Sequence, residues 1–175
     1  MIKSLPKNKY QDYPINFSYQ SDVYYDVETN YSDNEMIIKF KLKPFSNPIK
    51  KSFVDTLYAP HYENAEAYGY YLDEELAGIL EVNFETWNKR LRITECIVFD
   101  QYLRNGIGSQ LMDFAKERAL NLGARALVLE TQTSNVRAIS FYKSCGFTLI
   151  GTDLSAYSNS DVKECEVRIE MGLFL

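Results

Sequence analysis

The rhythm of the apolar residues changes partway along the chain, and few folds tolerate that change. From Ala67 to Phe99 the pattern fits strands: Ala67 to Asp73, Leu76 to Thr86 and Leu91 to Phe99, with turns at Asp73-Glu74-Glu75 and Trp87-Asn88-Lys89-Arg90. Then Ile107, Leu111, Phe114, Ala115, Ala119 and Leu122 recur every three or four residues, the stripe of an amphipathic helix, with Gly123 as its stop. Ala126 to Glu130 reads as a short apolar strand. Ala138, Ile139, Phe141 and Tyr142 lie on a second helix closed by Gly146, and strands follow at Phe147 to Ile150 and Cys165 to Phe174. An antiparallel meander followed by helix, strand, helix and two strands requires a mixed, mostly antiparallel sheet with helices packed on it. The expected class is α/β (α+β).

The N-terminal third is less regular. Met36, Ile38, Phe40 and Leu42 alternate with Ile37, Lys39 and Lys41, which predicts a strand facing a core, broken by Pro44, Asn47 and Pro48. Residues 49–64 are ambiguous, with a short helix as one reading. Residues 10–38 carry Asp12, Asp22, Asp26, Glu28, Asp33 and Glu35 with no Lys or Arg, and then come Lys39, Lys41, Lys43, Lys50 and Lys51. The acidic block reads as a solvated face or as part of a pocket for a cationic substrate.

Composition removes several function classes. With 24 acidic and 19 basic residues and a formal charge of −5, the chain is poorly suited to gripping a nucleic-acid backbone. It has no apolar run of the ~18 to 20 residues that a membrane-spanning helix needs, and MIKSLPKNKYQDYP lacks the apolar centre of a secretory signal. Three cysteines, Cys96, Cys145 and Cys165, with no CxxC spacing, argue against a disulfide framework and for a reducing, cytoplasmic setting. A single His61 cannot build a His-rich metal site, so no metal is expected.

Two segments carry chemistry. Leu103-Arg104-Asn105-Gly106-Ile107-Gly108 leaves a strand and opens a helix. A helix N-terminus has about four unpaired amides and a partial positive charge, and glycines let a ligand approach them, which suits a phosphate or pyrophosphate. A dinucleotide-binding GxGxxG would need glycine where Leu111 stands, and a P-loop would need Gly-Lys-Ser/Thr where Gly108-Ser109-Gln110 stands. The second segment is Asn135-Val136-Arg137-Ala138-Ile139-Ser140-Phe141-Tyr142, ending in Gly146-Phe147, with Asn135 placed to cap a helix. Each has an ordinary structural reading, as a strand–helix turn and as a packed helix.

Together, in this order, the segments resemble the acetyl-CoA-binding motifs of the GCN5-related N-acetyltransferases. Leu129-Glu130-Thr131-Gln132, Trp87-Asn88 and Asp153-to-Asn159 resemble streptothricin acetyltransferases in particular. The resemblance implies a single domain whose sheet carries helices on both faces and splays between the fourth and fifth strands. Its parts would be residues 1–66 shaping the acceptor side, 67–150 binding acetyl-CoA, and 151–175 supplying C-terminal strands. It further implies that Ile97, Val98 and Phe99 bind the pantetheine arm and that Leu103, Arg104, Asn105, Gly106, Ile107, Gly108 and Ser109 cradle the pyrophosphate. Asn135, Ala138 and Tyr142 complete the coenzyme contacts. Leu103 stands where the family usually has Gln or Arg, and Arg104 is next in line to supply charge. Tyr142 matches the family's general acid. Glu95 is the first choice for general base because the third meander strand leads to the thioester, with Glu130 and Glu81 as rivals; Thr94-Glu95 departs from the family's more usual pair of acids.

The expected activity is acetyl transfer to a primary amine of a small cationic molecule, a streptothricin-type antibiotic being the sharpest guess. The alternatives are acetylation of a protein N-terminus or lysine, and a non-catalytic acetyl-CoA-binding module. Whether the final strand pairs with a second copy to form a homodimer is open.

Overall fold

A computed structural model describes residues 1–175. The elements run β1 (Ile2–Ser4), α1 (Lys7–Tyr10), β2 (Pro14–Ser32), β3 (Glu35–Thr56), β4 (Ala65–Leu72), β5 (Glu75–Glu85), β6 (Arg90–Val98), a 3₁₀ turn (Asp100–Tyr102), α2 (Ile107–Asn121), β7 (Ala126–Gln132), α3 (Val136–Ser144), β8 (Thr148–Asp153), α4 (Asp161–Glu164) and β9 (Arg168–Phe174). Strands hydrogen-bond in the order β1-β4-β5-β6-β7-β9-β8, and β2 pairs only with β3. The meander and the helix–strand–helix succession after it stand where the periodicity put them, and the mixed sheet is the expected class. The chain divides into two compact units: Met1–Phe17 with Phe53–Leu129 and Gly172–Leu175, and Ser18–Ser52 with Glu130–Met171.

In the first unit, β1-β4, β4-β5 and β5-β6 are antiparallel. One face of this sheet carries a core of Leu5, Ile15, Leu57, Tyr58, Ala67 and Ile79, against which Ile97 and Phe99 pack. Helix α2 covers the other face. It comes close at Gly78, where an added Cβ would lie 2.8 Å from the Ile97 carbonyl oxygen and 3.3 Å from Ile107 and Leu111, so only glycine fits there. Of the predicted stripe, Ile107, Leu111, Ala115 and Ala119 are buried, Phe114 and Leu122 are half-buried at its edges, and Met112, beside Leu111, joins the buried face. The helix stops as expected. Gly123 sits at φ 68°, its amide donates to Leu120 O (3.0 Å), and Ala124 N–H donates to Ala119 O (2.9 Å), the two bonds of a Schellman motif.

A fork of hydrogen bonds ties α2 to β4. Arg118 Nε donates to Glu66 Oε2 (2.8 Å) and Arg118 Nη2 to Glu66 Oε1 (2.6 Å). The Arg118 guanidinium is the main cause holding the Glu66 carboxyl below the usual carboxylate range; Tyr68 O–H also donates to it, and burial opposes both. Beside it, burial first and then Glu66 push Tyr68 up to about 12.

In the second unit the sequence expectation needs correcting. The strand at Met36 to Leu42 exists, but it does not face a core. Met36 is 81% exposed and Leu42 54%. Pro44, Asn47 and Pro48 do not break it, since β3 runs on to Thr56, and residues 49–64 hold no helix. The reason is the two-stranded ribbon. A strand with one neighbour has an open edge, and a proline nitrogen turned to that edge removes no ladder bond. The acidic and basic blocks meet across this ribbon: Lys41 Nζ lies 2.8 Å from Glu28 Oε2, and Lys43 Nζ 2.5 Å from Asp26 Oδ2. The ribbon also helps line an apolar cleft of ≈ 180 Å³ with Ile139, Leu149, Ile169 and Met171.

Two stability predictions follow from the first unit. Gly123→Ala meets no steric neighbour, yet it puts a Cβ into the left-handed region, so urea unfolding should show a loss of about 1 to 2 kcal/mol. Because the folded pKa of Glu66 is lowered, the stability it adds is complete above the unfolded carboxylate pKa and is lost as pH falls through the folded one. Glu66→Gln should therefore flatten the acid limb of a stability–pH curve relative to wild type, as read by denaturation midpoints.

Candidate active site

The candidate site begins where one ladder ends. Strand β6 pairs in parallel with β7 over three residue pairs, Arg90 with Ala126, Leu91 with Leu127 and Arg92 with Val128. Its antiparallel pairing with β5 continues to Val98, opposite Gly78. This is the splay expected between the fourth and fifth strands of the resemblance. It leaves the β7-facing side of β6 from Ile93 to Val98 outside the β6–β7 ladder.

Register then decides which amide points into the opening. Phe99 N–H donates to Ala77 O at 3.0 Å, so Phe99 and Ala77 form a hydrogen-bonded pair. Pairs alternate along an antiparallel ladder, and the preceding pair, Val98 with Gly78, therefore turns its amides away from each other. Of the three strand residues expected to meet the pantetheine arm, Val98 is the one whose N–H is directed out of the β5–β6 ladder. Ile97 and Phe99 bond inward to β5.

After Phe99 the 3₁₀ turn leads through Leu103 to the glycine turn. Arg104 and Gly106 both take positive φ, 65° and 73°. Gly106 is the N-cap of α2 with no side-chain cap, so the first-turn amides at Ile107, Gly108 and Ser109 are left without intrahelical acceptors. Asn105, Gly106 and Ser109 are exposed, whereas Ile107 is buried and anchors the turn. An added Cβ at Gly106 would meet nothing within 4 Å; the residue is required for its dihedral angle and leaves open space above the amides. These features fit a diphosphate. Arg104 is exposed beside the cradle, and Leu103 is half-buried.

Asn135, Ala138 and Tyr142 lie on α3 in the second unit. Asn135 Oδ1 accepts from Ala138 N–H at 3.2 Å, which makes it the expected N-cap. The helix closes at Gly146, φ 95°, with Phe147 N–H donating to Tyr142 O (3.0 Å). The Tyr142 ring is half-buried, with its centroid 5.5 Å from that of Phe141 and 6.1 Å from that of Phe147.

The three carboxylates weighed as general base lie in different surroundings. Glu95 on β6 is 7% exposed and stands opposite Glu81 on β5. Glu130 on β7 is exposed and paired with Arg168, 2.7 Å away. Glu81 is 0% exposed and fully engaged. Its Oε1 accepts from Tyr58 N–H at 2.6 Å and its Oε2 from Thr94 Oγ1 at 2.7 Å. Burial pushes its pKa up, and these two hydrogen bonds pull against it. Sequence reasoning did not foresee this clamp, because Tyr58 lies in a segment with no readable period. No cluster of three or more His, Cys, Asp or Glu is arranged to hold a metal ion, and no helix is long and apolar enough to cross a membrane.

Comparison with known proteins fits this geometry. The profile of the acetyltransferase (GNAT) family matches residues 34–147. The chain belongs to the GNAT family. Among curated relatives, a streptothricin acetyltransferase of Escherichia coli is 41% identical over 95 residues, 54% of either chain. The chain spans about half the length of the curated relatives it first matches. Among solved structures, nourseothricin acetyltransferase superposes with a TM-score of 0.76 at 25% identity, covering 99% of this GNAT chain and 97% of the other. A Bacillus anthracis protein solved in complex with acetyl coenzyme A gives 0.75 at 24% identity, covering 100% and 97%.

The cap of α3 gives a direct test. Asn135→Ala should lower stability by about 1 kcal/mol in urea unfolding; an unchanged midpoint would mean that α3 needs no side-chain cap.

Proposed function

We propose that the chain transfers the acetyl group of acetyl-CoA to a primary amine of a small cationic molecule, with streptothricin-type antibiotics the first candidates. The observation that carries this reading is the outward amide of Val98 on the open side of β6, followed along the chain by the uncapped first turn of α2. The likeness to streptothricin acetyltransferases supports the acceptor class. Residues 67–150 form the coenzyme side in this reading and residues 1–66 the acceptor side. The odd cysteine count is consistent with a cytosolic setting.

Acetyl-CoA would supply an activated thioester carbonyl, and this chain's residues would do the rest. The amides from Asn105 to Ser109, with Arg104 beside them, hold the diphosphate. Val98 N–H donates to the thioester oxygen as negative charge develops there, an interaction worth roughly 2.7 to 4 kcal/mol in favourable cases. The acceptor must attack as a neutral amine. For a lysine-like amine of pKa about 10.4, deprotonation at pH 7 costs about 4.6 kcal/mol. Glu95 is the carboxylate assigned to take that proton, directly or through water. Tyr142 O–H donates to the departing thiolate. With reference pKa values of about 10 and 8.5, that transfer is uphill by only ~2 kcal/mol.

Two of the six acidic residues first read as candidate attractors of a cation have another occupation. Asp26 and Glu28 are ion-paired with Lys43 and Lys41. In this reading a cationic acceptor draws its counter-charge from carboxylates other than these two.

Calorimetry should show acetyl-CoA binding, and CoA release should follow addition of streptothricin. Release with other amines but not streptothricin would discard that acceptor and keep the enzyme class. Absence of acetyl-CoA binding by folded protein would refute the reading. Tyr142→Phe should lower turnover by about 10²-fold with little change in acetyl-CoA affinity; a wild-type rate, with chemistry shown to be limiting, removes Tyr142 from the mechanism.

A further inference from the structure

We propose that Glu81 is a positioning residue that sets Glu95 through the bulge at Thr94, an inference that rests on the base assignment above. The register of β5 and β6 shifts between Glu81 and Val82: Glu81 faces Glu95, but Val82 faces Ile93. Thr94 is therefore the extra residue of a β-bulge, and its neighbour is Glu95. A bulge interrupts the ladder, bends its strand and re-aims the side chains beside it. Something must hold it in one conformation if Glu95 is to keep one direction.

Glu81 is built to do so. Its carboxylate is wholly buried and bridges two parts of the chain. One oxygen accepts from the Thr94 hydroxyl at the bulge. The other accepts from the amide of Tyr58, a buried non-glycine residue held at φ 62°. Tyr58 is itself fixed at its far end: its hydroxyl donates to Leu5 O and accepts from Ala67 N–H (3.1 Å). The bulge is thereby tied to the core of Leu5, Leu57, Tyr58 and Ala67 rather than to solvent. An apolar side chain of similar size would fill the same space with less desolvation, so the hydrogen bonds are what a carboxylate adds here. Glu81 and Glu95 are directly opposite on one face of the sheet, so a relaxed bulge would be felt first at Glu95.

Thr94→Val keeps the β-branched shape and removes the donor. It should lower kcat by roughly 10- to 100-fold, as displacement of a catalytic group by about 1 Å does, while the KM for acetyl-CoA stays within about twofold of wild type. Glu81→Gln can still accept from Tyr58 N–H and donate to Thr94 Oγ1, so it should restore kcat to within about threefold of wild type. Glu81→Leu should fall with Thr94→Val, and the double variant should be little worse than either single one. If Glu81→Leu does not fold, Thr94→Val and Glu81→Gln decide the matter. A wild-type kcat in Thr94→Val overturns the proposal. So does a Glu81→Gln variant as slow as Thr94→Val, which would make Glu81 a proton carrier in its own right. Glu95→Gln is the control: full turnover in that variant would show that the base assignment has failed, whereas a slow Glu95→Gln beside an unaffected Thr94→Val would show that only the positioning role has.

Discussion

Parallel pairing between β6 and β7 lasts for three residue pairs and then stops. That interruption is the constraint on which the candidate chemistry depends. A fully zipped ladder would satisfy the amides on the β7 side of β6 with β7 carbonyls and leave nothing to bind a thioester oxygen. Once the pairing ends, the alternation of the β5–β6 ladder directs Val98 N–H outward as a matter of register. An amide exposed in this way carries no side-chain entropy and needs no reorganisation when charge develops opposite it. The pairing of β6 with β5 runs on past this point, to Val98 opposite Gly78.

The elements that set this geometry were legible in the sequence because they obey local rules. The meander announced itself by alternation, α2 by its stripe, and both helix ends by Gly123 and Gly146, which the structure places at positive φ. Asn135 was legible as a cap because only a few side chains can accept from the third amide of a helix. The N-terminal third was misread for a physical reason. Its alternating residues Met36 to Leu42 obey the strand rule, but alternation states only that two faces differ. It does not state that anything covers the apolar one. The prolines signalled a break because they are judged against a strand with two neighbours, and β3 has one.

Charge was legible as composition and illegible as pairing. The acidic run and the lysine run lie apart in the chain, and nothing local says that a hairpin will lay Asp26 beside Lys43 and Glu28 beside Lys41. Once paired on an exposed ribbon, these charges add little to stability. The two pairs also offset part of the attraction that the acidic block would have for a cation.

Glu81 shows the same limit from the other side. In sequence it is a rival for the role of base, flanked by leucine and valine, and nothing local announces that the Tyr58 amide will meet it. A buried carboxylate with one partner removed is left costly. With both oxygens occupied, the same group becomes a rigid strut, since neither partner can move without stranding it. That reciprocity explains how a strained residue in a segment without secondary structure and an irregularity in a strand can persist together. Tyr58 holds its left-handed backbone, and Thr94 its bulge, because each supplies a hydrogen bond to a carboxylate that has no water to turn to.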